Sequence, residues 1–369
     1  RMNKLFQTAT PVHDEKQSDL SRRADHMREG AIMLGMTVFS QLLAFSALYM
    51  LPVAATSAWW GALLLIVPAL LLWGFGMLAA RGMPQNAFER APYRVIAGVL
   101  AVLFLSDMAV DLLAMIELTC AFILPGTPRF WLAMIAAIAV GVGTPYKAPD
   151  AASRTARFLR WFFIGSFVFC AATVMPQGET GYLFPWAGYG VRHTLRCAAL
   201  GGGGCWTAAV LPLLSHAEPR QAARQARTWL PLLVAVFMIA LLLLCCAYVL
   251  PATSLSERWG FVLRLQMLMS ISPSTLAWSL MLITELLLFL VAFAGSGSFL
   301  CACVKRAAKL RVPLLPFALL CVPLSLIGAD IAEKTLMAVL PLRYPIAVLL
   351  VGMILIFNAF ARKKEGKAA

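Results

Sequence analysis

Residues 200–212 read Leu-Gly-Gly-Gly-Gly-Cys-Trp-Thr-Ala-Ala-Val-Leu-Pro and lie inside an apolar segment that runs from about 195 to 215. A glycine weakens an α-helix by about 1 kcal/mol relative to alanine, so four in a row favour a local departure from α-helical geometry. Close packing of another helix against small residues is the alternative explanation. Broken helices at mid-membrane use their freed amides and carbonyls to bind charged groups. The candidate ligand-binding residues here are Gly201, Gly202, Gly203 and Gly204.

The composition indicates a polytopic membrane protein. Of the 369 residues, 61% are hydrophobic and 13% are charged, and the mean hydropathy is +0.81. Soluble domains have about 45–50% apolar and about 25% charged residues. A soluble globular enzyme, a disordered chain and a disulfide-stapled secreted domain are therefore excluded. Ten apolar segments that suit a bilayer core lie at roughly 31–51, 58–80, 95–124, 129–146, 158–175, 195–215, 229–250, 273–303, 313–341 and 344–361.

Two Leu-Pro pairs suggest an internal repeat. Leu51-Pro52 ends the first segment and Leu211-Pro212 ends the sixth. Because the two segments are five apart, the two halves of the chain would lie in opposite orientations. Secondary transporters are built from such inverted repeats with broken helices. We therefore predict an all-α fold of about ten transmembrane helices in a 5+5 inverted repeat, with helices one and six broken.

The net charge of +14 follows the same topology. Of 31 lysines and arginines, 24 lie on one side of the predicted membrane, in segments 1–29, 81–94, 147–160, 220–227, 305–311 and 362–367. The positive-inside rule then places both termini in the cytoplasm. Residues 1–29 are expected to form a polar cytoplasmic tail, 30–361 the transmembrane domain, and 362–369 a basic cytoplasmic tail beside the lipid headgroups. No loop is long enough for a nucleic-acid-binding face.

Four acidic residues lie inside predicted spans: Asp107, Asp111, Glu117 and Glu285. Such residues usually face a cavity and mark the path of an ion or a substrate. Asp107 and Asp111 are four residues apart and share a helix face. The count above assigns every lysine and arginine to one side of the membrane or the other and none to the membrane interior, so we expect these acids to be protonated, hydrated, cation-bound, or paired with a loop arginine or another subunit. A protonated acid bonded to nearby backbone is the alternative.

No motif for metal or cofactor chemistry accompanies these acids. The nine cysteines lie almost wholly in apolar segments, none forms a Cys-x-x-Cys pair, and the four histidines are scattered. No phosphate-binding glycine loop, nucleophile elbow or His-Glu-x-x-His motif occurs. The sequence therefore predicts no metal, no cofactor and no enzymatic activity.

The segment Glu117–Pro128, ELTCAFILPGTP, resembles the end of span three in the B subunits of bacterial spore germinant receptors. Leu51-Pro52, Leu211-Pro212 with basic Arg220 and Arg224, and Arg311–Pro316 are similar to the same family, and the resemblance covers roughly residues 30–361. It implies an amino acid–polyamine–organocation (LeuT-like) transporter fold. Where the family commonly has glycines in span one, this chain has Phe45-Ser46-Ala47.

The resemblance implies a nutrient-sensing subunit of the spore inner membrane. A small nutrient, expected to be amino-acid-like, would bind among Phe45, Ser46, Ala47, Glu117 and the glycine run. The partners would be a larger A-type membrane subunit and a C-type lipoprotein. The alternatives are an autonomous proton- or sodium-coupled amino-acid or organic-cation permease with Asp107, Asp111, Glu117 and Glu285 as coupling groups, and a scaffold whose pocket is occluded by Phe45.

Overall fold

The computed structural model describes residues 10–84, 86–144, 150–214, 227–251, 275–323 and 329–368. All regular secondary structure in these ranges is helical, which confirms the all-α prediction. The α-helices are α1 Thr10–Phe45, α2 Leu51–Ala54, α3 Ala58–Leu64, α4 Ile66–Gly82, α5 Ala91–Phe122, α6 Arg129–Gly143, α7 Asp150–Val174, α8 Val191–Gly201, α9 Val210–Leu214, α10 Leu230–Val249, α11 Thr275–Ala308, α12 Leu315–Cys321 and α13 Ala329–Ala368. Parts of the N-terminal tail, of the basic loops and of the eighth and ninth predicted spans lie outside the described residues.

The helices match the apolar segments closely. Within the described ranges, seven stretches are long and apolar enough to cross a membrane: Leu51–Gly82, Ala91–Phe122, Ala152–Val174, Val191–Leu214, Leu230–Val249, Ser279–Ala308 and Ala338–Ala361. The shorter helix α6 is also apolar, and the first predicted span lies in α1 and the turn that follows it. Large apolar side chains such as Val102, Ile135 and Leu349 point outward, as in a bundle that is surrounded by lipid.

The first predicted span departs from α-helical geometry just after α1 ends, in the region where a break is predicted. A π-helical turn, Ser46–Met50, connects α1 to α2, and Ala55 beyond it has a φ of 50°. At the other end, α1 passes the predicted domain boundary at residue 30 without interruption. Glu29 of α1 accepts a hydrogen bond from Arg157 of α7 at 2.9 Å. The polar segment just before residue 30 therefore packs onto the bundle.

The sixth predicted span also changes its winding, at the glycine run. Helix α8 ends at Gly201, the 3₁₀ segment Gly202–Ala209 follows, and α9 continues the span. All eight residues of the 3₁₀ segment are buried. The chain stays helical throughout, so the predicted break is a tighter winding of the backbone and not an extended opening.

The last helix corrects one prediction. The sequence was divided between 341 and 344 into a ninth and a tenth span, but α13 runs unbroken from Ala329 to Ala368 with Pro341 and Pro345 inside it. Proline usually ends a helix in water, whereas neighbouring helices can satisfy the freed backbone groups in a membrane. Arg343 therefore lies within a span, and the expectation that no basic residue does so is wrong.

Candidate functional site

A cluster of buried polar side chains lies where four parts of the fold meet. Helix α1 contributes Ser40 and Gln41, α5 contributes Asp107 and Asp111, the 3₁₀ segment contributes Trp206, and α13 contributes Arg343. All six side chains are fully buried. The two aspartates face the same way because they are one helical turn apart. We call these six residues the central cluster.

An ion pair connects α13 to α5. The Nη1 atom of Arg343 lies 2.6 Å from Oδ1 of Asp107. The indole N–H of Trp206 donates to both oxygens of the same carboxylate, at 3.2 and 3.1 Å. The side chain of Asp107 in α5 thus contacts both α13 and the 3₁₀ segment.

Gln41 links the two aspartates to the arginine. Its Nε2 donates to Oδ1 of Asp111 at 2.9 Å and to the backbone carbonyl of Asp107 at 3.2 Å, and its Oε1 accepts from Nη1 of Arg343 at 2.8 Å. The hydroxyl of Ser40 donates to the same oxygen of Asp111 at 2.8 Å. An amide suits this position because it can donate to a carboxylate and accept from a guanidinium at the same time.

Several polar atoms in or next to the central cluster have no hydrogen-bond partner. Among the described residues, Oδ2 of Asp111 and both Nε and Nη2 of Arg343 are buried without a hydrogen-bond partner, and so is Oγ1 of the neighbouring Thr207. Buried polar atoms without partners cost free energy, so such groups in a native protein usually have a function. One guanidinium also faces two carboxyl groups. Charge balance therefore favours a proton or a cation on the second carboxyl.

The glycine run allows close approach of helices on two sides. A Cβ on Gly201 would lie 2.9 Å from the Phe45 ring, and one on Gly204 would lie 2.8 Å from Leu42. On the other side, a Cβ on Gly203 would collide with the carbonyl oxygen of Leu340 in α13. Close packing, the alternative explanation of the glycine run, is therefore present together with the 3₁₀ winding.

The structure brings several predicted site residues together and separates others. Phe45 packs against Gly201 beside the central cluster, whereas the hydroxyl of the buried Ser46 donates to the sulfur of Met50 at 3.6 Å. The side chain of Ala47 lies outside the described residues. Of the predicted pocket lining, the structure thus brings Phe45 and the glycine run into contact.

Glu117 and Glu285 lie apart from this cluster. Glu117 forms a double contact with Arg129 at the start of α6, with distances of 3.0 and 3.1 Å, and its side chain is 26% exposed. The pairing with a loop arginine that the sequence allowed is therefore found here. Glu285 is buried in α11, near Cys170 and Cys246.

Sequence reasoning missed four members of the central cluster: Ser40, Gln41, Trp206 and Arg343. Gln41 carried a usable signal, since a glutamine inside an apolar span is a polar group that must find a partner. Arg343 was missed because it falls in the gap between the ninth and tenth predicted spans.

Solved transporter structures share this architecture. A crystal structure of the Eremococcus coleocola manganese transporter in complex with an aromatic bis-isothiourea compound is 12% identical, covers 93% of this chain and 78% of that chain, and has a TM-score of 0.55. The chain has a membrane transporter fold. A mutant structure of the same transporter is 13% identical over 92% of this chain and 77% of that chain, with a TM-score of 0.54.

This likeness concerns the fold alone. No protein-family model and no curated protein sequence matches the chain. Among the residues that the structure describes, no three histidine, cysteine, aspartate or glutamate side chains are grouped so that they could hold a metal ion. The neighbours are transporters and not enzymes, and the centre of this fold carries an ion pair in a hydrogen-bond network.

Proposed function

We propose that the chain recognises a small polar solute at its central cluster and responds by a change in helix packing. The observation that carries the proposal is the pair of unsatisfied groups on Asp111 and Arg343, which are buried beside the 3₁₀ segment of the sixth span and the last turns of α1 before its π-helical turn. A carboxyl and a guanidinium side by side offer hydrogen bonds to groups of both charges. Phe45 against Gly201 keeps the centre packed in this conformation.

In its more specific form, the proposal makes the chain the membrane subunit of a spore nutrient-germinant receptor. The likeness of Glu117–Pro128 to that family supports it, and so does a transporter fold with a tightly packed centre. The chain would act with a larger A-type membrane subunit and a C-type lipoprotein in the spore inner membrane, with both termini cytoplasmic. Ligand binding controls such a partner only if the ligand binds two conformations with different affinities.

Purification from native membranes and a germination assay test the receptor form. We expect the A-type subunit and the lipoprotein to co-purify with the chain. Spores that carry Asp111→Asn should lose the response to one nutrient and keep the response to non-nutrient triggers. Glu117→Gln is the matched control, since Glu117 lies outside the central cluster, and it should leave germination unchanged. A full nutrient response in spores that lack the chain would refute the receptor role.

An autonomous permease coupled to protons or sodium is the second candidate. The central cluster has two buried carboxyl groups and one guanidinium. This favours a permease, because the second carboxyl can take up and release a cation as the solute moves. Purified chain in proteoliposomes should then accumulate a labelled amino acid or organic cation when an ion gradient is imposed. Asp111→Asn should abolish accumulation and Glu117→Gln should preserve it. No uptake of any such solute would exclude the permease.

A further inference from the structure

A groove opens on the outer surface of the bundle, away from the central cluster. It lies between α1, α7 and α10 and has a volume of about 200 Å³. Apolar side chains dominate its walls; among them are Met36, Phe39, Phe163, Phe167, Val234 and Met238. Walls of this kind lose dispersion contacts when nothing lies against them, so a hydrocarbon occupant is favoured.

The position of the groove along the helices assigns it to one half of the membrane. Leu230 and Pro231, the first two residues of α10, line it, and so does Trp161 in the first half of α7. The basic segment 147–160 includes the start of α7, and the basic segment 220–227 precedes α10; both lie on the same side in the predicted topology. The groove is therefore in the leaflet next to the basic side, which in cells is the side with a negative surface potential.

One charged residue belongs to this apolar lining. Arg160 of α7 lines the groove, and its guanidinium carbon lies 4.9 Å from the ring centre of Trp161. Its Nε atom is buried and has no hydrogen-bond partner in the part of the chain that the structure describes. A guanidinium beside a hydrocarbon-shaped groove matches a molecule with an anionic head and an apolar tail.

We propose that the groove holds an acyl chain of an anionic phospholipid whose headgroup phosphate binds Arg160. The apolar walls account for the tail, and the positive charge of the guanidinium that lines the groove accounts for the head. Arg157, one turn earlier in α7, is engaged by Glu29 at 2.9 Å. Arg160 is therefore the arginine of α7 that borders the groove.

Native mass spectrometry of the purified full chain tests the headgroup contact, with phosphatidylglycerol and phosphatidylcholine of identical acyl chains as probes. The wild-type chain should retain phosphatidylglycerol preferentially. Arg160→Gln should weaken that retention about fivefold, the effect of one arginine beside an anionic leaflet. Arg160→Lys should keep most of the preference, and Arg154→Gln, at an exposed position of the same helix outside the groove, should keep all of it. Equal retention of both lipids by the wild-type chain would overturn the proposal.

The tail contact has its own test. Val234→Trp fills the groove from α10 and should reduce retention of both lipids. Phe237→Trp, on the same helix and 58% exposed outside the groove, should change neither. Retention that is unaffected by Val234→Trp, or a crosslink from the Trp161 position to a second copy or another polypeptide in native membranes, would show that something other than lipid covers the groove.

Discussion

Arg343 and Asp107 face each other across the centre of the bundle, with Nη1 and Oδ1 2.6 Å apart and neither side chain exposed. The pair fixes α13 against α5 at the level where Trp206 joins the network. In a region of low dielectric constant such a pair gives little net stability compared with apolar packing, but loss of one member leaves an uncompensated charge.

Removal of Arg343 should therefore strongly destabilise the fold. Arg343→Gln leaves Asp107 buried without its positive partner, and we expect a loss of about 3–5 kcal/mol in the free energy of unfolding. The double variant Arg343→Gln with Asp107→Asn removes both charges and should recover much of that loss. Thermal unfolding in detergent micelles measures both effects. Equal stability of the single and double variants would contradict a direct coupling between the two residues.

The membrane position of α13 has a separate test. Leu342 is 56% exposed next to fully buried Arg343, so its side chain should face lipid. A cysteine at Leu342 should resist a membrane-impermeant maleimide in permeabilised membranes, whereas a cysteine at exposed Thr180 in the loop after α7 should react. The background would carry Cys120→Ser and Cys301→Ala, because these two native cysteines are half-buried and the other seven are buried. Rapid labelling of the cysteine at position 342 would instead support the predicted gap between the ninth and tenth spans.

The sequence predicted the architecture better than it predicted the site. Apolar length and the glycine run depend on local composition, and they located most helices and the irregular segment of the sixth span correctly. The two Leu-Pro pairs pointed to the irregular segment of the first span. The central cluster depends on which residues meet across the bundle. Arg343 was assigned to a gap between two spans, because a single sequence does not show that a helix continues through Pro341 and Pro345 when neighbouring helices satisfy the freed backbone. Glu117 was selected for its type, although its partner, Arg129, was visible twelve residues later.

The glycine run permits a prediction about packing. Gly203→Ala would place a methyl group against the carbonyl oxygen of Leu340, a backbone atom that cannot move without shifting α13. We expect a stability loss of a few kcal/mol, in the range for overpacked cores. Gly98→Ala in α5 is the matched control. It meets nothing within 4 Å and should raise stability by up to about 1 kcal/mol through helix propensity. Similar melting temperatures for the two variants would contradict close packing at Gly203.

The acidic residues should differ in what they control. Glu117 pairs with Arg129 where both side chains are partly exposed, 26% and 38%, so Glu117→Gln should cost at most about 1 kcal/mol. Asp111→Asn keeps an oxygen that can accept from Ser40 and Gln41, so the protein should stay folded with a similarly small change. It removes the second carboxyl of the central cluster, however, and with it the site for a proton, a cation or a ligand ammonium group. We therefore expect a ligand-induced thermal shift to persist in Glu117→Gln and to disappear in Asp111→Asn at equal stability. Loss of the thermal shift in Glu117→Gln alone would indicate that the ligand binds near the end of α5 and not at the central cluster.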